Sequence, residues 1–288
     1  WRLCMNWLLC KSWSKALLKR VLMSHESRGF EPSRFQKPSI FAWVVLITFL
    51  AFFIQGISSA DISLNRLIAG SSNLGEFFLS AFPPSTSRLD VIAKSMLETL
   101  NMAIVGVTFG VLLSLPVALL CARNTSPHAI VRVVMINIVA TLRTIPDLIW
   151  ALIFVVAVGL GPLAGILAII MDTIGFCARF FAERIEETNP KPGMALKASG
   201  ASRTAVIAGA IIPECFPSFV ATSLYSVEKA VRSAVVLGLV GAGGIGVELT
   251  SAMNLFRYKE ALTIILVVLV VVIAVEQIAK AIRARIMT

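Results

Sequence analysis

The chain has 288 residues, of which 57% are hydrophobic and 15% are charged, and its formal net charge at pH 7 is +10. An ordinary soluble domain is about 45–50% apolar and about 25% charged, so the composition excludes a soluble protein and predicts about five to seven membrane spans of roughly 20 apolar residues each. In a soluble protein the basic excess would suggest nucleic acid, but in a membrane protein it is judged by how basic residues divide between the two sides.

Residues 1–38 form a basic, aromatic segment that precedes the first long apolar run. The segment lacks the uninterrupted apolar core and the small-residue cleavage site of a secretory signal. Trp7, Trp13 and Leu17 are interleaved with lysines in the pattern of an amphipathic helix that lies in the membrane interface. We expect a cytoplasmic or interfacial N-terminal segment here, followed by the first transmembrane helix and a periplasmic connection over residues 39–94.

Six apolar runs are long enough to cross a membrane as helices. They cover residues 40–57, 97–122, 130–160 and 163–181, a stretch that starts at Pro213, and residues 261–279. The third run is too long for one straight helix, and Pro146, followed by Asp147, predicts a kink or break. The Gly159–Pro162 segment, with two glycines and a proline, predicts a tight turn into the fourth run. Residues 95–288 therefore form the core transmembrane domain of an all-α polytopic membrane protein.

Basic residues concentrate in the loops on one side of the predicted spans. With six spans and a cytoplasmic N-terminus, the inside segments are the N-terminal segment, the 123–132 loop, residues 179–203 and the tail after 279, and they hold most of the 26 lysines and arginines. The positive-inside rule then places both termini in the cytoplasm. This orientation also places the polar segment 188–213 in the cytoplasm.

The cytoplasmic segment 188–213 contains a pattern of helix boundaries. Residues from Met194 to Ser199 can form a short helix, Gly200 supplies the left-handed turn that ends it, and Ser202 can cap the next helix. The pattern predicts a bent helix pair whose small-residue elbow lets the groove of another protein approach the backbone closely. An ordinary loop between spans is the alternative.

The chain contains no pattern typical of an enzyme or of a nucleotide site. The phosphate-binding motif G-x-x-x-x-G-K-[ST] does not occur, His25 and His128 lack the H-E-x-x-H spacing, and Ser202 lacks the second glycine of G-x-S-x-G. The five cysteines show no C-x-x-C spacing, so neither a disulfide framework nor a zinc site is expected. We expect a chain without enzymatic activity and without a cofactor or metal ion of its own.

Ala195, Gly200 and Pro213 have the spacing of a known docking motif. They are similar to the E-A-A-x-x-x-G loop, which continues to I-x-L-P, in the permease subunits of binding-protein-dependent ABC transporters, where the loop docks on the ATPase. Met194 stands where the family has Glu, and Leu196 where it has Ala. The resemblance implies that the coupling loop of this chain comprises Met194, Ala195, Leu196, Gly200, Ala201, Ser202 and Pro213.

A second stretch, Ser223–Val247, resembles the signature region of phosphonate-uptake permeases, as do Phe154–Pro162 and Phe82–Pro84. The resemblance implies the type I ABC importer permease fold in a bacterial inner membrane. It also implies import of phosphonate, or of a related phosphorus oxyanion such as phosphite, by alternating access. The implied partners are two ATPase subunits that carry ATP and magnesium, a periplasmic phosphonate-binding protein, and a second permease copy as a homodimer or heterodimer; nucleic acid is not among them.

Four ionisable residues lie inside predicted spans, where each charge costs about 2.5–3.5 kcal/mol on insertion scales. They are Asp147, Asp172, Glu228 and Arg232. Glu228 and Arg232 are spaced i, i+4 on one helix face and can neutralise each other. Alternatively, Arg232, together with Lys229, faces the pathway and favours an anionic phosphonate. Asp147 lies beside the proline kink and near Arg143, so we expect ion pairing or helix capping for it.

Gly241, Gly243 and Gly246 match the G-x-G-x-x-G dinucleotide fingerprint by letter, but the run follows a membrane span and not the strand of a βαβ unit. Glycines at membrane depth instead allow a non-helical, closely packed connection that is buried in protein or lines a cavity. The run is a candidate gate or pathway element, with close helix packing as the alternative. The candidate pathway residues are Tyr225, Glu228, Lys229, Arg232, Ser233, Gly241, Gly243, Gly244 and Gly246.

Two alternative functions stay open at this point. The first keeps the architecture and changes the solute to phosphate, methionine or a quaternary amine, because the loaded binding protein largely decides the solute. The second is a channel or secondary transporter that works without ATP. It predicts inverted repeats or proton-relay carboxylates, and the sequence has no convincing internal repeat.

Overall fold

The computed structural model describes residues 39–60 and 63–287, which contain helices and no β-strand. The prediction of an interfacial helix within residues 1–38 lies outside the described residues. The chain divides into two compact units, one that ends at Gly70 and one that begins at Ser71, and each is described by itself.

The helices of the described residues are numbered in chain order. They are α1 (Ile40–Ser59), α2 (Leu64–Ala81), α3 (Leu89–Cys121), α4 (Ala129–Thr144), α5 (Asp147–Val158), α6 (Pro162–Glu187), α7 (Pro190–Ala198), α8 (Arg203–Val206), α9 (Ile212–Leu237), α10 (Ile245–Asn254) and α11 (Tyr258–Met287). A π-helical turn, Ile207–Ile211, joins α8 to α9, and a 3₁₀ turn, Gly238–Val240, follows α9.

α1 forms the first predicted span. Ser39 caps its N-terminus, since the Ser39 hydroxyl accepts a hydrogen bond of 3.3 Å from the Ala42 amide. None of its 20 residues is buried, and its length matches the roughly 30 Å of hydrocarbon that a transmembrane helix must cross. An apolar helix that is exposed all round satisfies its own backbone and can face lipid directly.

The segment 58–94, expected as a polar connection, contains the 18-residue helix α2. Near the end of α2, the ring of Phe77 packs edge-on against the ring of Tyr258, with centroids 5.1 Å apart. The next helix, α3, starts at Leu89, eight residues before the predicted start at Leu97. The connection is therefore largely helical, and sequence hydropathy alone did not reveal this.

α3 and α6 pack through small residues at intervals of one helical turn. A Cβ atom added at Gly106 would lie 2.8 Å from Ile169 Cβ, and one added at Gly110 would lie 2.5 Å from Thr173 Cβ. One turn further, the Ser114 hydroxyl is completely buried. Small residues at this spacing let two membrane helices approach closely and gain van der Waals contact. The α3–α6 pair is thus the centre of the bundle.

α4 and α5 meet at an angle of 90°, which confirms the break predicted at Pro146. α4 packs along the second half of α6. Near the start of α4, Arg132 pairs with Glu186 at 3.4 Å; near its end, the Arg143 amide lies 3.2 Å from a Cβ placed at Gly175. α5 then leads to the turn before Pro162, where α6 begins. Five helices or helical stretches of the described residues are long and apolar enough to cross a membrane, and the count reaches the predicted six when α4 and α5 are taken together as one broken span.

The fifth predicted span begins earlier than expected. α8, the π-helical turn and α9 form one continuous helical stretch from Arg203 to Val240, so Pro213 does not start the span. In the π-helical turn the Ile212 amide donates to the Ile207 carbonyl, five residues back. This wider turn directly precedes Pro213, whose ring would clash with the preceding turn of a regular helix and which has no amide hydrogen to donate.

Candidate functional site

The elbow predicted at residues 194–202 is present. Asn189 caps the N-terminus of α7, because its side chain accepts a hydrogen bond of 3.1 Å from the Lys191 amide. It ends in a Schellman motif, in which the Gly200 amide donates to Lys197 and the Ala201 amide to Leu196, both at 3.0 Å. Gly200 has φ +86°, the left-handed conformation that this motif requires.

Ser202 caps α8 as predicted, because the Ala205 amide donates to the Ser202 hydroxyl at 3.3 Å. The face of the elbow that points away from the bundle is open. Met194 is 56% exposed, and Ala195, Gly200, Ser202 and Pro213 are also exposed, whereas Leu196 and Ala201 are half-buried. The elbow therefore offers small and apolar groups to a partner, and its role as a coupling loop stays a prediction.

α7 is fastened to the spans on either side of it. The Asn189 amide donates to the Glu214 carboxylate of α9 at 3.3 Å, and the Thr188 hydroxyl lies 2.9 Å from Cys215 Sγ. Behind α7 lies a cavity of about 550 Å³. Arg203, which begins α8, donates to the Thr125 carbonyl at 2.9 Å and also contacts the next carbonyl of the loop between α3 and α4.

The glycine run after α9 forms a non-helical connection, as predicted. Gly241, Gly243 and Gly244 have φ values of +84°, +85° and +75°, which favour glycine because a side chain would be strained. The Gly161 amide donates to the Gly241 carbonyl at 3.0 Å. Gly246 lies inside α10. A Cβ atom added there would clash with the carbonyl oxygen of Val235 in α9.

Two side chains of α3 hold the start of α10. The Gly244 amide donates to Glu98 Oε1 at 3.1 Å, and the Ile245 amide donates to Thr99 Oγ1 at 2.8 Å. Unpaired amides at a helix N-terminus attract negative charge, and here a carboxylate of the same chain occupies that place. Beside it lies a cavity of about 350 Å³ that includes Glu98 and Glu248. The glycine run thus both packs closely and lines a cavity, and its role as a gate or pathway element stays a prediction.

The sequence predicted an ion pair between Glu228 and Arg232, and the two side chains lie 3.3 Å apart. The structure adds a second partner, since Arg283 of α11 donates to the other oxygen of Glu228 at 3.1 Å. Lys229 pairs with Asp172 of α6 at 2.7 and 2.8 Å. The buried Glu228 carboxylate and the Asp172 carboxylate therefore each lie against positive charge.

The expectation for Asp147 is wrong in part. Among the residues that the structure describes, its carboxylate makes neither an ion pair with Arg143 nor a capping hydrogen bond. Asp147 instead occupies the first turn of α5, where a negative charge is favoured by the helix dipole. Arg143 and Asp147 are four positions apart, which would place them one turn apart in a continuous helix. The 90° bend between α4 and α5 removes this proximity.

Aromatic rings and cations form a continuous row on α4, α6 and α9. Phe180 packs on Phe176 with centroids 4.6 Å apart, and Phe176 stacks on Tyr225 at 5.6 Å. Lys229 Nζ lies 5.5 Å from the Phe176 centroid, and the Arg143 guanidinium lies 5.8 Å from that of Phe180. Rings beside cations stabilise the positive charge without neutralising it. Lys229 is paired with Asp172, so Arg143 is the cation of this row that has no carboxylate partner among the described residues.

Of the predicted pathway residues, the structure brings Tyr225 and Lys229 into this aromatic row. Arg232 has a side chain that is 47% exposed while it pairs with Glu228. Ser233 is half-buried one residue further along α9. The four glycines lie together at the other end of α9, next to α3. Sequence reasoning missed Glu98, Thr99 and the aromatic partners, which are distant in the chain.

Comparison with known proteins gives one family. The family model for the binding-protein-dependent transport system inner membrane component matches residues 114–288. HtxC of Stutzerimonas stutzeri, whose name assigns it provisionally to phosphite transport, is 40% identical over 223 residues, 77% of this chain and 79% of that protein. PtxC of the same organism, named as a phosphite transport system permease protein, is 36% identical over 259 residues, 90% of this chain and 93% of that protein.

A solved structure has the same fold. A chain of the inward-facing MetNI methionine ABC transporter superposes with a TM-score of 0.62, covering 70% of this chain and 99% of that chain. The sequence identity over this match is 22%, so the superposition is informative about the arrangement of helices and not about the solute.

Proposed function

Because this chain belongs to the family of inner-membrane components of binding-protein-dependent transport systems, we propose that it imports phosphonate, or a related phosphorus oxyanion such as phosphite, with energy from ATP. The chain is a multi-pass membrane protein with the fold of type I ABC importer permeases. The observation that carries the proposal is the exposed elbow at Gly200, fastened to α6 and α9. The choice of substrate is supported by the phosphite transport names of HtxC and PtxC.

The elbow defines how the chain works with an ATPase. In the proposed complex, two ATPase subunits carry ATP and magnesium, and each receives one α7 from one of two permease chains, identical or different. This places α7 and both termini on the cytoplasmic side of the bacterial inner membrane.

At the opposite end of the bundle, Arg88 links Glu248 of α10 to Glu260 of α11, with both ion pairs at 3.4 Å. A periplasmic binding protein delivers the substrate to this end, where the Phe82–Pro84 segment is also available. The chain would thus receive its substrate at one end of the bundle and its energy at the other.

Alternating access follows from the links between α7, α9 and the glycine run. ATP binding brings the two docked elbows together and moves α9, which ends at the glycine run. Glu98 and Thr99 fasten that run to α3, so a displacement of α9 changes the packing at the cavity near Glu98. Hydrolysis then allows the chains to return to the inward-facing arrangement.

The aromatic row favours an anion as the substrate. Arg143 presents positive charge to the row, whereas Lys229 is paired with Asp172 and Arg232 shares Glu228 with Arg283. A quaternary amine would be repelled by Arg143, and methionine, with no net charge, would gain little from it. Phosphate shares the chemistry of phosphite and stays the main alternative within this architecture.

The decisive experiment measures ATPase activity of the reconstituted complex. The binding protein is added empty or loaded with methylphosphonate, phosphite or phosphate, and the proposal expects stimulation by a phosphorus oxyanion over the empty protein. Substrate uptake into the same vesicles should fall in the Arg232→Gln variant. Solute transport by vesicles that contain the permease without any ATPase would contradict the importer function and favour a channel or secondary transporter.

A further inference from the structure

A cavity of about 410 Å³ lies between α3, α4 and α6 and contains three arginines that the transport proposal does not use as a group. They are Arg132, Arg143 and Arg179. Two carboxylates, Glu183 and Glu186, share the cavity with them. Its remaining wall is apolar or small, and Arg143 and Arg179 are both exposed.

The carboxylates do not neutralise the cavity. Arg132 pairs with Glu186 at 3.4 Å, and Arg179 pairs with Glu183 at 2.6 Å. Arg143 has no carboxylate partner among the described residues. The three guanidinium groups against two carboxylates leave one positive charge uncompensated.

Hydrogen-bond donors are also left over. A guanidinium has five N–H donors in a fixed fork that suits phosphate oxygens. Arg179 uses its Nε on Glu183, and Arg132 uses Nε on the Cys121 carbonyl at 3.3 Å and one Nη on Glu186. Arg143 lies over the Phe180 ring, which orients its guanidinium plane without consuming a donor.

The position of the cavity makes an unpaired arginine costly. The Arg143 backbone lies against Gly175, near the midpoint of the 26-residue α6. From there the cavity extends to Glu186, at the end of α6 that leads into α7. Arg143 itself lies in the last turn of α4, within the broken span, and an ionisable residue inside a span usually has a functional partner.

We propose that this cavity binds a tetrahedral phosphorus oxyanion between Arg143 of α4 and Arg179 of α6, entering from the side of the membrane that carries α7. The inference rests on the proposed function only in naming that side cytoplasmic. A bound oxyanion uses the free donors of both guanidinium groups, neutralises the excess charge and bridges the broken span to α6. Free phosphate and the phosphate of an anionic lipid headgroup share this chemistry.

The test uses the full-length permease alone, in nanodiscs of phosphatidylcholine, with inorganic phosphate as the probe. Wild-type protein should bind radiolabelled phosphate saturably and gain thermal stability as phosphate increases. Arg143→Gln and Arg179→Gln should each weaken binding at least about tenfold, because charge-assisted hydrogen bonds are lost. Arg257→Gln is the matched control, since Arg257 pairs with Glu260 at 3.6 Å and does not line this cavity.

A second arm identifies the source of the oxyanion. Native mass spectrometry compares retention of phosphatidylglycerol by wild-type protein and by Arg143→Gln after purification from mixed lipid. Phosphate binding in phosphatidylcholine identifies the free anion, and phosphatidylglycerol retention without phosphate binding identifies a lipid headgroup; both support the site. Arg143→Lys keeps the charge and should retain part of the binding. It is the control that separates loss of charge from misfolding of the glutamine variants.

The proposal is overturned if neither phosphate nor phosphatidylglycerol distinguishes wild-type protein from Arg143→Gln. It is equally overturned if Arg257→Gln loses binding as much as the cavity variants do. No ATPase or binding protein is present in these assays, so their outcome is independent of the transport experiment. A failed transport assay would likewise leave the binding result standing.

Discussion

At Gly200, the backbone strain caused by a side chain can be measured separately from the steric obstruction that the side chain causes. The residue has φ +86°, and a Cβ atom added to it would meet nothing within 4 Å. Gly200→Ala therefore costs only the left-handed backbone strain of an L-residue, about 1–2 kcal/mol. If docking of the ATPase requires the native elbow, this strain weakens affinity by at most roughly a factor of five to thirty, since about 1.4 kcal/mol is tenfold.

A larger side chain at the same position adds obstruction to strain. We expect Gly200→Trp to abolish ATPase binding, because the indole occupies the space that the partner must enter. Gly200→Asn should bind better than Gly200→Ala, since Asn tolerates the left-handed region. The assay is the dissociation constant between detergent-solubilised permease and its ATPase, with thermal unfolding of each permease measured in parallel.

Gly193→Ala is the matched control within α7. A Cβ atom there would lie 3.4 Å from a methyl group of Val206, an ordinary contact, and replacing a helical glycine by alanine should stabilise α7 by about 0.5–1 kcal/mol. ATPase binding should be retained. If Gly200→Trp binds the ATPase as well as wild-type protein, or if Gly200→Ala loses binding as completely as Gly200→Trp, the elbow is not the docking surface.

Three further predictions concern packing within the bundle. Gly246→Ala places a methyl group on the Val235 carbonyl oxygen and should destabilise the protein by about 1–3 kcal/mol, seen as a lower melting temperature. Thr99→Val keeps the shape of a fully buried side chain but leaves the Ile245 amide without its acceptor, which costs about 1–3 kcal/mol and should speed hydrogen exchange at that amide. Cys177 is buried and should react with a maleimide only after unfolding.

Each of these predictions has a control or a contrary outcome. Gly56→Ala, with nothing within 4 Å of the added atom, should not lower the melting temperature. Thr108→Val, at an exposed hydroxyl bonded only within its own helix, should change stability by no more than about 0.5 kcal/mol. A Thr99→Val protein with unchanged exchange at Ile245 would show that the cap does not protect that amide. Rapid labelling of native Cys177 would mean that α6 and α9 separate readily.

Features fixed by neighbouring residues could be predicted from the sequence. The break at Pro146, the turn at Gly200, the cap at Ser202 and the Glu228–Arg232 pair all depend on residues no more than five positions apart. Steric exclusion by proline, the conformational freedom of glycine and the helical repeat act at that range. The apolar runs that form the spans were also predictable, because hydropathy is a local property of each run.

Features that depend on the meeting of distant segments could not be predicted. Lys229 was singled out, but its partner Asp172 lies 57 positions away on another helix. Glu98 holds the glycine run across 146 positions, and no pattern within α3 marks it. Arg143 appeared only as a neighbour of Asp147, because its position over Phe180 and beside Gly175 requires the packed α4 and α6.

The anchoring of α7 has a mechanical consequence. A short helix with loose ends would absorb a push by tilting, but α7 is closed at one end by the Asn189 contact with Glu214 and at the other by the Schellman turn at Gly200. Arg203 extends the connection to the loop between α3 and α4. A partner that displaces α7 therefore moves several spans at once. If any one of these contacts is lost, α7 can move without moving the spans.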